Sequence, residues 1–210
     1  VVSAVDIAML AVFIPTFFFV SITPGMCMTL AMTLGMSIGV RRSLYMMWGE
    51  LAGVGLVAFS SVIGVAAIML NYPNVFTVLK TLGGLYLVYV GAQMWLSKGK
   101  MAISDDPQAG CNTSPMTLTL QGFFTAVSNP KSWAFNISLL PPFINPAQSL
   151  APQLSILISI ILITEFACLL LYASGGRTLR HILQKSGNVQ LMNRIAGSLM
   201  VGVGVWLALG

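Results

Sequence analysis

Long uncharged stretches dominate the chain. No charged residue occurs between Asp6 and Arg41, between Glu50 and Lys80, or between Lys131 and Glu165. Each stretch exceeds the roughly 20 apolar residues that a helix needs to cross about 30 Å of hydrocarbon. A membrane strand needs only about 10 residues of strict alternation, and no such alternation runs through these segments. Backbone amides in lipid must bond within their own segment, so the pattern predicts an all-α integral membrane protein. Six spans are expected, at 7–34, 44–70, 75–97, 117–141, 151–175 and 192–209. The longest polar link, 98–116, contains Gly99, Asp105, Asp106, Pro107 and Gly110 and reads as a flexible loop. It divides a single transmembrane domain, 1–210, into halves 1–97 and 117–210.

Composition excludes the soluble classes. Only 7% of the 210 residues are charged, against about 25% in soluble domains, and the mean hydropathy is +0.89. Cys27, Cys111 and Cys168 are scattered, which indicates neither a disulfide framework nor a zinc site. The net charge of +5 marks topology, with no nucleic-acid partner expected. The links after the first, third and fifth spans hold Arg41 and Arg42, Lys98 and Lys100, and Arg177, Arg180, Lys185 and Arg194. The alternate links near 71–74 and 142–150 hold no Lys or Arg. This bias predicts cytoplasmic basic links and both termini on the outer, periplasmic side. Tyr45, Trp48, Trp95 and Tyr172 are expected at the inner interface, and Tyr72, Phe76, Phe143 and Trp206 at the outer one.

Three spans per half make the halves enter the bilayer from opposite sides, so a 3+3 inverted-topology repeat is expected. Gly84 and Gly91 match Gly197 and Gly204 at one shift of 113, Glu50 and Glu165 lie 115 apart, and Pro24 and Pro130 lie 106 apart. Pairs at spacing four, such as Gly35/Gly39 and Gly49/Gly53, are expected to let helices pack closely.

The candidate chemistry gathers at two interruptions. Thr23-Pro24-Gly25 breaks the first span and Asn129-Pro130 breaks the fourth. Proline removes a helical donor, and paired broken helices leave free carbonyls and helix ends for ions and charged groups. Three ionisable residues lie inside spans: Glu50, Lys131 and Glu165. Each costs about 3 kcal/mol at the bilayer centre on insertion scales, so each needs a partner or water. One cation and two carboxylates suit a zwitterion. Lys131 would take a carboxylate, and Glu50 or Glu165 an ammonium or a coupling proton. A simple proline kink and a structural ion pair are the alternative reading of the same residues.

These residues also resemble a known family. Thr23-Pro24-Gly25 is similar to the Thr-Pro-Gly-Pro signature of the LysE/RhtB exporters, and Gly49-Glu50 to that family's Gly followed by a carboxylate. Residues 76–91, FTVLKTLGGLYLVYVG, resemble its third span. Ser128-Asn129-Pro130-Lys131 and Leu140-Pro141-Pro142-Phe143 resemble its Asn-Pro-Lys and Leu-Pro-x-Phe segments. Met26 stands where the family has a second proline, and Glu50 is one methylene longer than its usual Asp. The resemblance implies a six-helix inner-membrane carrier of bacteria, working as a homodimer and driven by the proton-motive force. Pro24, Gly25, Glu50, Asn129, Pro130 and Lys131 occupy its motif positions.

The expected function is secondary, proton-coupled export of a small amino acid or derivative such as homoserine, threonine or leucine. No enzymatic activity and no cofactor are expected, and no phosphate-binding GxxxxGK[ST] loop is present. Two alternatives are a cation exporter using the two carboxylates and a thiol-disulfide electron carrier using Cys27. The carrier lacks a second sulfur, because Trp133 stands at the position equivalent to Cys27.

Overall fold

In a computed structural model, the described residues are 7–97, 113–140, 143–145, 148–184 and 186–209. Among them eight α-helices follow in order. They are α1 (Ile7–Ile22), α2 (Met26–Ile38), α3 (Val40–Asn71), α4 (Pro73–Leu96), α5 (Pro115–Val127), α6 (Pro130–Leu139), α7 (Leu150–Gln184) and α8 (Ser186–Leu209). No strand occurs among the described residues. Val40–Gly64 and Leu150–Gly176 are each long and apolar enough to cross a membrane. Ala8–Ile22 with Met26–Ile38 also qualifies if the pair, bent by 57°, is one span.

Proline and its caps set several helix starts. α4, α5 and α6 each carry proline in the first turn, where its missing N–H costs nothing. Ser114 caps α5 by accepting from the Thr117 amide, and Asn129 caps α6 by accepting from the Lys131 amide at 3.0 Å. α2 opens differently, on Gly25, with no side-chain cap.

Two apolar cores are stacked along the bundle. One contains Phe13, Phe17, Val54, Ala58, Leu157 and Ile161. The other contains Met28, Met32, Met46, Met47, Leu169 and Tyr172. On α3 the change from one core to the other falls at Glu50, on α7 at Glu165, and between α1 and α2 at residues 23–25. The polar positions therefore share the level between the cores.

Glycine sets the closest helix approaches. α4 and α8 run antiparallel: a Cβ on Gly84 would stand 2.7 Å from the Gly204 carbonyl oxygen, and one on Gly91 2.7 Å from that of Gly197. The reverse contacts are as tight, at 2.6 Å from Gly204 to Gly84 and 2.5 Å from Gly197 to Gly91. Gly49 abuts the Thr119 carbonyl, and Gly122 abuts that of Met46, joining α3 to α5. Such backbone approach gives dispersion and Cα–H···O contacts that apolar side chains in lipid cannot supply by a hydrophobic effect.

The structure corrects several local expectations. Gly39 is not a packing glycine. It has φ +78° with nothing within 4 Å of a Cβ, and it is the single residue turning α2 into α3. Arg41 and Arg42 therefore lie in the first turn of α3, not in a link. The segment after 175 continues as helix to Gln184, kinked at Gly176 (φ 42°), and α8 begins at Ser186 instead of 192. Tyr172 and Phe143 are not interfacial anchors; both are buried in the cores. The loop expected at 98–116 lies outside the described residues for 98–112, as do Cys111, Pro141 and Pro142. The side chain of Lys80 is also not described.

Candidate substrate site

The first interruption leaves the last four carbonyls of α1 without helical donors. Three of them are met by side chains. Thr23 Oγ1 donates to Phe19 O at 2.6 Å, Lys131 Nζ to Val20 O at 2.9 Å and Tyr172 Oη to Ile22 O at 2.7 Å. Two of the donors come from the other half of the chain. A cation at a helix C-terminus also meets the negative end of the helix dipole. The second interruption is closed locally. The Ser128 and Asn129 amides turn back onto Phe124 and Ala126, and Trp133 Nε1 donates to Val127 O at 2.8 Å.

A cavity of about 40 Å3 lies between the interruptions. α1 and its exit contribute Phe17, Val20, Ser21 and Thr23; Gly25, Met26, Cys27 and Met28 come from the start of α2. α3 contributes Glu50 and Val54. Asn129 and α6 contribute Lys131, Ser132, Phe135 and Asn136, and α7 contributes Glu165. The structure thus brings Gly25, Glu50, Asn129, Lys131 and Glu165 together around one space. Pro24 is not on its wall, and the Pro130 side chain is not described.

Glu50 is 1% exposed. Glu165 Oε1 accepts from Ser21 Oγ at 3.1 Å, and Glu165 lies within electrostatic reach of both Lys131 and Glu50. Glu50 Oε2, Glu165 Oε2 and Asn136 Oδ1 are buried with no hydrogen-bond partner among the described residues. A buried acceptor left unmet costs roughly 1–3 kcal/mol, more if charged. Three such acceptors around one cavity therefore call for a donor-rich ligand or a proton. Ser21, Asn136 and Tyr172 were missed in the sequence. Tyr172 was legible as the residue seven positions after Glu165, on the same helical face. Asn136 was legible as a polar residue in an apolar run.

Cys27 lies 3.9 Å from Asn129 Nδ2 and is a free thiol, as is Cys168. Among the described residues no group of three His, Cys, Asp or Glu is arranged to hold a metal ion.

Residues 18–210 match the LysE type translocator family. The chain belongs to this family. A Vibrio cholerae protein described only as an uncharacterized membrane protein is 30% identical over 193 residues, covering 90% of each chain. The homoserine/homoserine lactone efflux protein of Salmonella typhimurium is 26% identical, again over 90% of each chain. The leucine efflux protein of an Enterobacter species is 26% identical over 91% of this chain and 90% of its own. No solved structure matches. As a member of the LysE type translocator family with long apolar helices, the chain is a multi-pass membrane protein.

The buried tyrosine offers a local check on the first interruption. Tyr172→Phe removes one buried hydrogen bond and leaves Ile22 O unmet. A stability loss of about 1 kcal/mol is expected. Thermal unfolding in detergent measures it, and an unchanged midpoint would argue against this bond.

Proposed function

We propose that the protein is a proton-coupled secondary exporter of a small zwitterionic amino acid or derivative. Homoserine and leucine are the first candidates, because the two relatives are described as exporting them. The carrying observation is the set of unmet acceptors on Glu50, Glu165 and Asn136 beside the cation of Lys131. An ammonium group brings three N–H donors and suits those acceptors. A carboxylate suits Lys131 together with the uncapped start of α2, whose dipole favours an anion. Phe17, Val54 and Phe135 supply an apolar wall for the side chain.

Coupling follows from competition for one carboxylate. With Lys131 turned to the substrate carboxylate, the glutamate that receives the substrate ammonium through its unmet oxygen cannot hold a proton there at the same time. The two occupants exclude each other, so exchange of one for the other links amino-acid exit to proton entry. Lys131 is held by Val20 O. A substrate carboxylate competes for the same ammonium and frees the end of α1. The cavity of about 40 Å3 has room for about three water molecules, at roughly 10–15 Å3 each. An amino acid enters only when α1/α2 and α5/α6 swing apart, which is the motion of alternating access.

The architecture we propose is six spans in a 3+3 inverted repeat, with α1/α2 and α5/α6 as the two spans broken at Pro24 and Pro130. The α4–α8 packing supports it. A shift of 113 turns the Gly84–Gly204 contact into Gly197 with Gly91, the other half of the same zipper. Halves 1–97 and 117–210 then form one transmembrane unit in a bacterial inner membrane. The basic links are cytoplasmic, and the ends near Ile7 and Leu209 face outward. Assembly as a homodimer rests on the family resemblance.

Uptake of a panel of labelled amino acids into inside-out vesicles, with and without an imposed pH gradient, tests the proposal. Accumulation of at least one small amino acid that needs the gradient is expected. Movement of none would overturn it.

A further inference from the structure

A second cavity, of about 770 Å3, lies at the joint of α2 and α3 and shares no lining residue with the substrate site. Its wall runs from Ile38 and Gly39 through Arg41 and Arg42 to Leu44, Tyr45 and Trp48 on α3. Arg41, Tyr45 and Trp48 stand at i, i+4 and i+7, so they share one stripe of the helix. The stripe spans about 10 Å of the helix axis. Arg41 is exposed and has no hydrogen bond or ion pair among the described residues, whereas Arg42 donates to Thr113 O at 2.8 Å. Trp48 is 59% exposed although one ring face stacks on Phe166 with centroids 5.6 Å apart. None of the lining residues is acidic.

We propose that this groove binds one anionic phospholipid, with its phosphate on Arg41 and its glycerol and upper acyl chain along Tyr45, Leu44 and Trp48. The chemistry along the stripe carries the assignment. A guanidinium at the helix end is followed by a phenol, then an indole one stripe-length along. Basic and amphipathic aromatic side chains set within about 10 Å of one another are the surroundings that a lipid headgroup and its glycerol meet at the interface. The guanidinium fork fits phosphate oxygens in a bidentate way. Trp48 is already fixed by Phe166, so the groove needs little ordering to receive a chain. In the orientation proposed above, which this assignment rests on, this end is cytoplasmic, and anionic lipids concentrate in the leaflet there. A free phosphate would meet Arg41 but leave the apolar length of the groove uncovered.

Native mass spectrometry of the detergent-purified chain, given equal amounts of phosphatidylglycerol and phosphatidylcholine with the same acyl chains, tests this. The wild-type chain is expected to retain phosphatidylglycerol preferentially. Arg41→Gln should weaken that retention about fivefold, the worth of one basic residue near an anionic surface, and leave phosphatidylcholine unchanged. Arg194→Gln removes one charge on the same basic side, where Arg194 lies 4.9 Å from the Trp95 ring centroid, and should not change the preference. Unaltered retention in Arg41→Gln, or an equal loss in Arg194→Gln, would overturn the site. Displacement of the lipid by millimolar inorganic phosphate would also overturn it, in favour of a free-anion site. Arg41 is exposed, so an unchanged melting curve for Arg41→Gln confirms that the comparison is between folded proteins.

Discussion

Replacing Lys131 by Met is expected to abolish amino-acid export while leaving the helical bundle folded. The side chain gives the site its positive charge, beside two carboxylates and an amide that each carry one unmet acceptor atom. Without it a substrate carboxylate faces Glu50 and Glu165 with no balancing charge. Truncating one member of a buried charged contact costs about 2–5 kcal/mol. At about 1.4 kcal/mol per tenfold, transport efficiency should fall by between roughly thirtyfold and a few thousandfold. The structural loss is smaller. Lys131 makes one side-chain hydrogen bond, to Val20 O, and Met keeps the apolar stem. Lys131→Arg retains the charge on a larger, planar head and should recover part of the activity if charge is what matters. Vesicle uptake reads the effect, and the elution profile and melting curve confirm the fold. Uptake by Lys131→Met with wild-type kinetics would contradict the role assigned to this lysine.

Gly122→Ala is expected to destabilise the protein by about 3 kcal/mol, the upper part of the usual overpacking range. The added methyl would run into the Met46 carbonyl oxygen and stand 2.9 Å from the Glu50 amide nitrogen. Both obstacles are backbone, so α5 must move off α3, and Glu50 moves with the contact. The better helix propensity of alanine returns about 1 kcal/mol at most. Gly202→Ala on α8 is the control, with nothing within 4 Å of its Cβ position, and should be neutral or slightly stabilising. At about 2–4 °C per kcal/mol for a chain of this length, Gly122→Ala should melt about 6–12 °C lower in detergent. Equal midpoints for the two variants would mean that α3 and α5 are not held at backbone contact.

The charge-free intervals made the helices and the membrane setting legible, because insertion energetics penalise almost every charge within a span. The candidate site residues were legible for the same reason. Glu50, Lys131 and Glu165 stand out wherever charges are otherwise absent, and the structure places all three on one cavity. Helix ends were less legible. Arg41 and Arg42 looked like link residues because polarity marks the bilayer boundary, not the end of hydrogen bonding. One left-handed glycine, Gly39, is enough to turn the chain without a loop. Tyr172 looked like an interfacial aromatic because composition does not tell a half-exposed tyrosine from a buried one. What buries it is the open carbonyl of Ile22, created by the break 150 residues earlier. Gly84, Gly91, Gly197 and Gly204 were visible as a repeat, but their direct packing against one another depends on helix adjacency. Spacing along one chain does not contain that information.

The account rests on substrate occupying the cavity between the two interruptions, and Cys27 on its wall gives a native reporter. In a chain with Cys111→Ala and Cys168→Ala, the rate of Cys27 alkylation by N-ethylmaleimide can be measured with and without a transported amino acid. Saturating substrate is predicted to slow the reaction severalfold, with half-protection near the concentration that half-saturates transport, while a non-transported amino acid has no effect. The same alkylation rate with and without transported substrate would contradict the site.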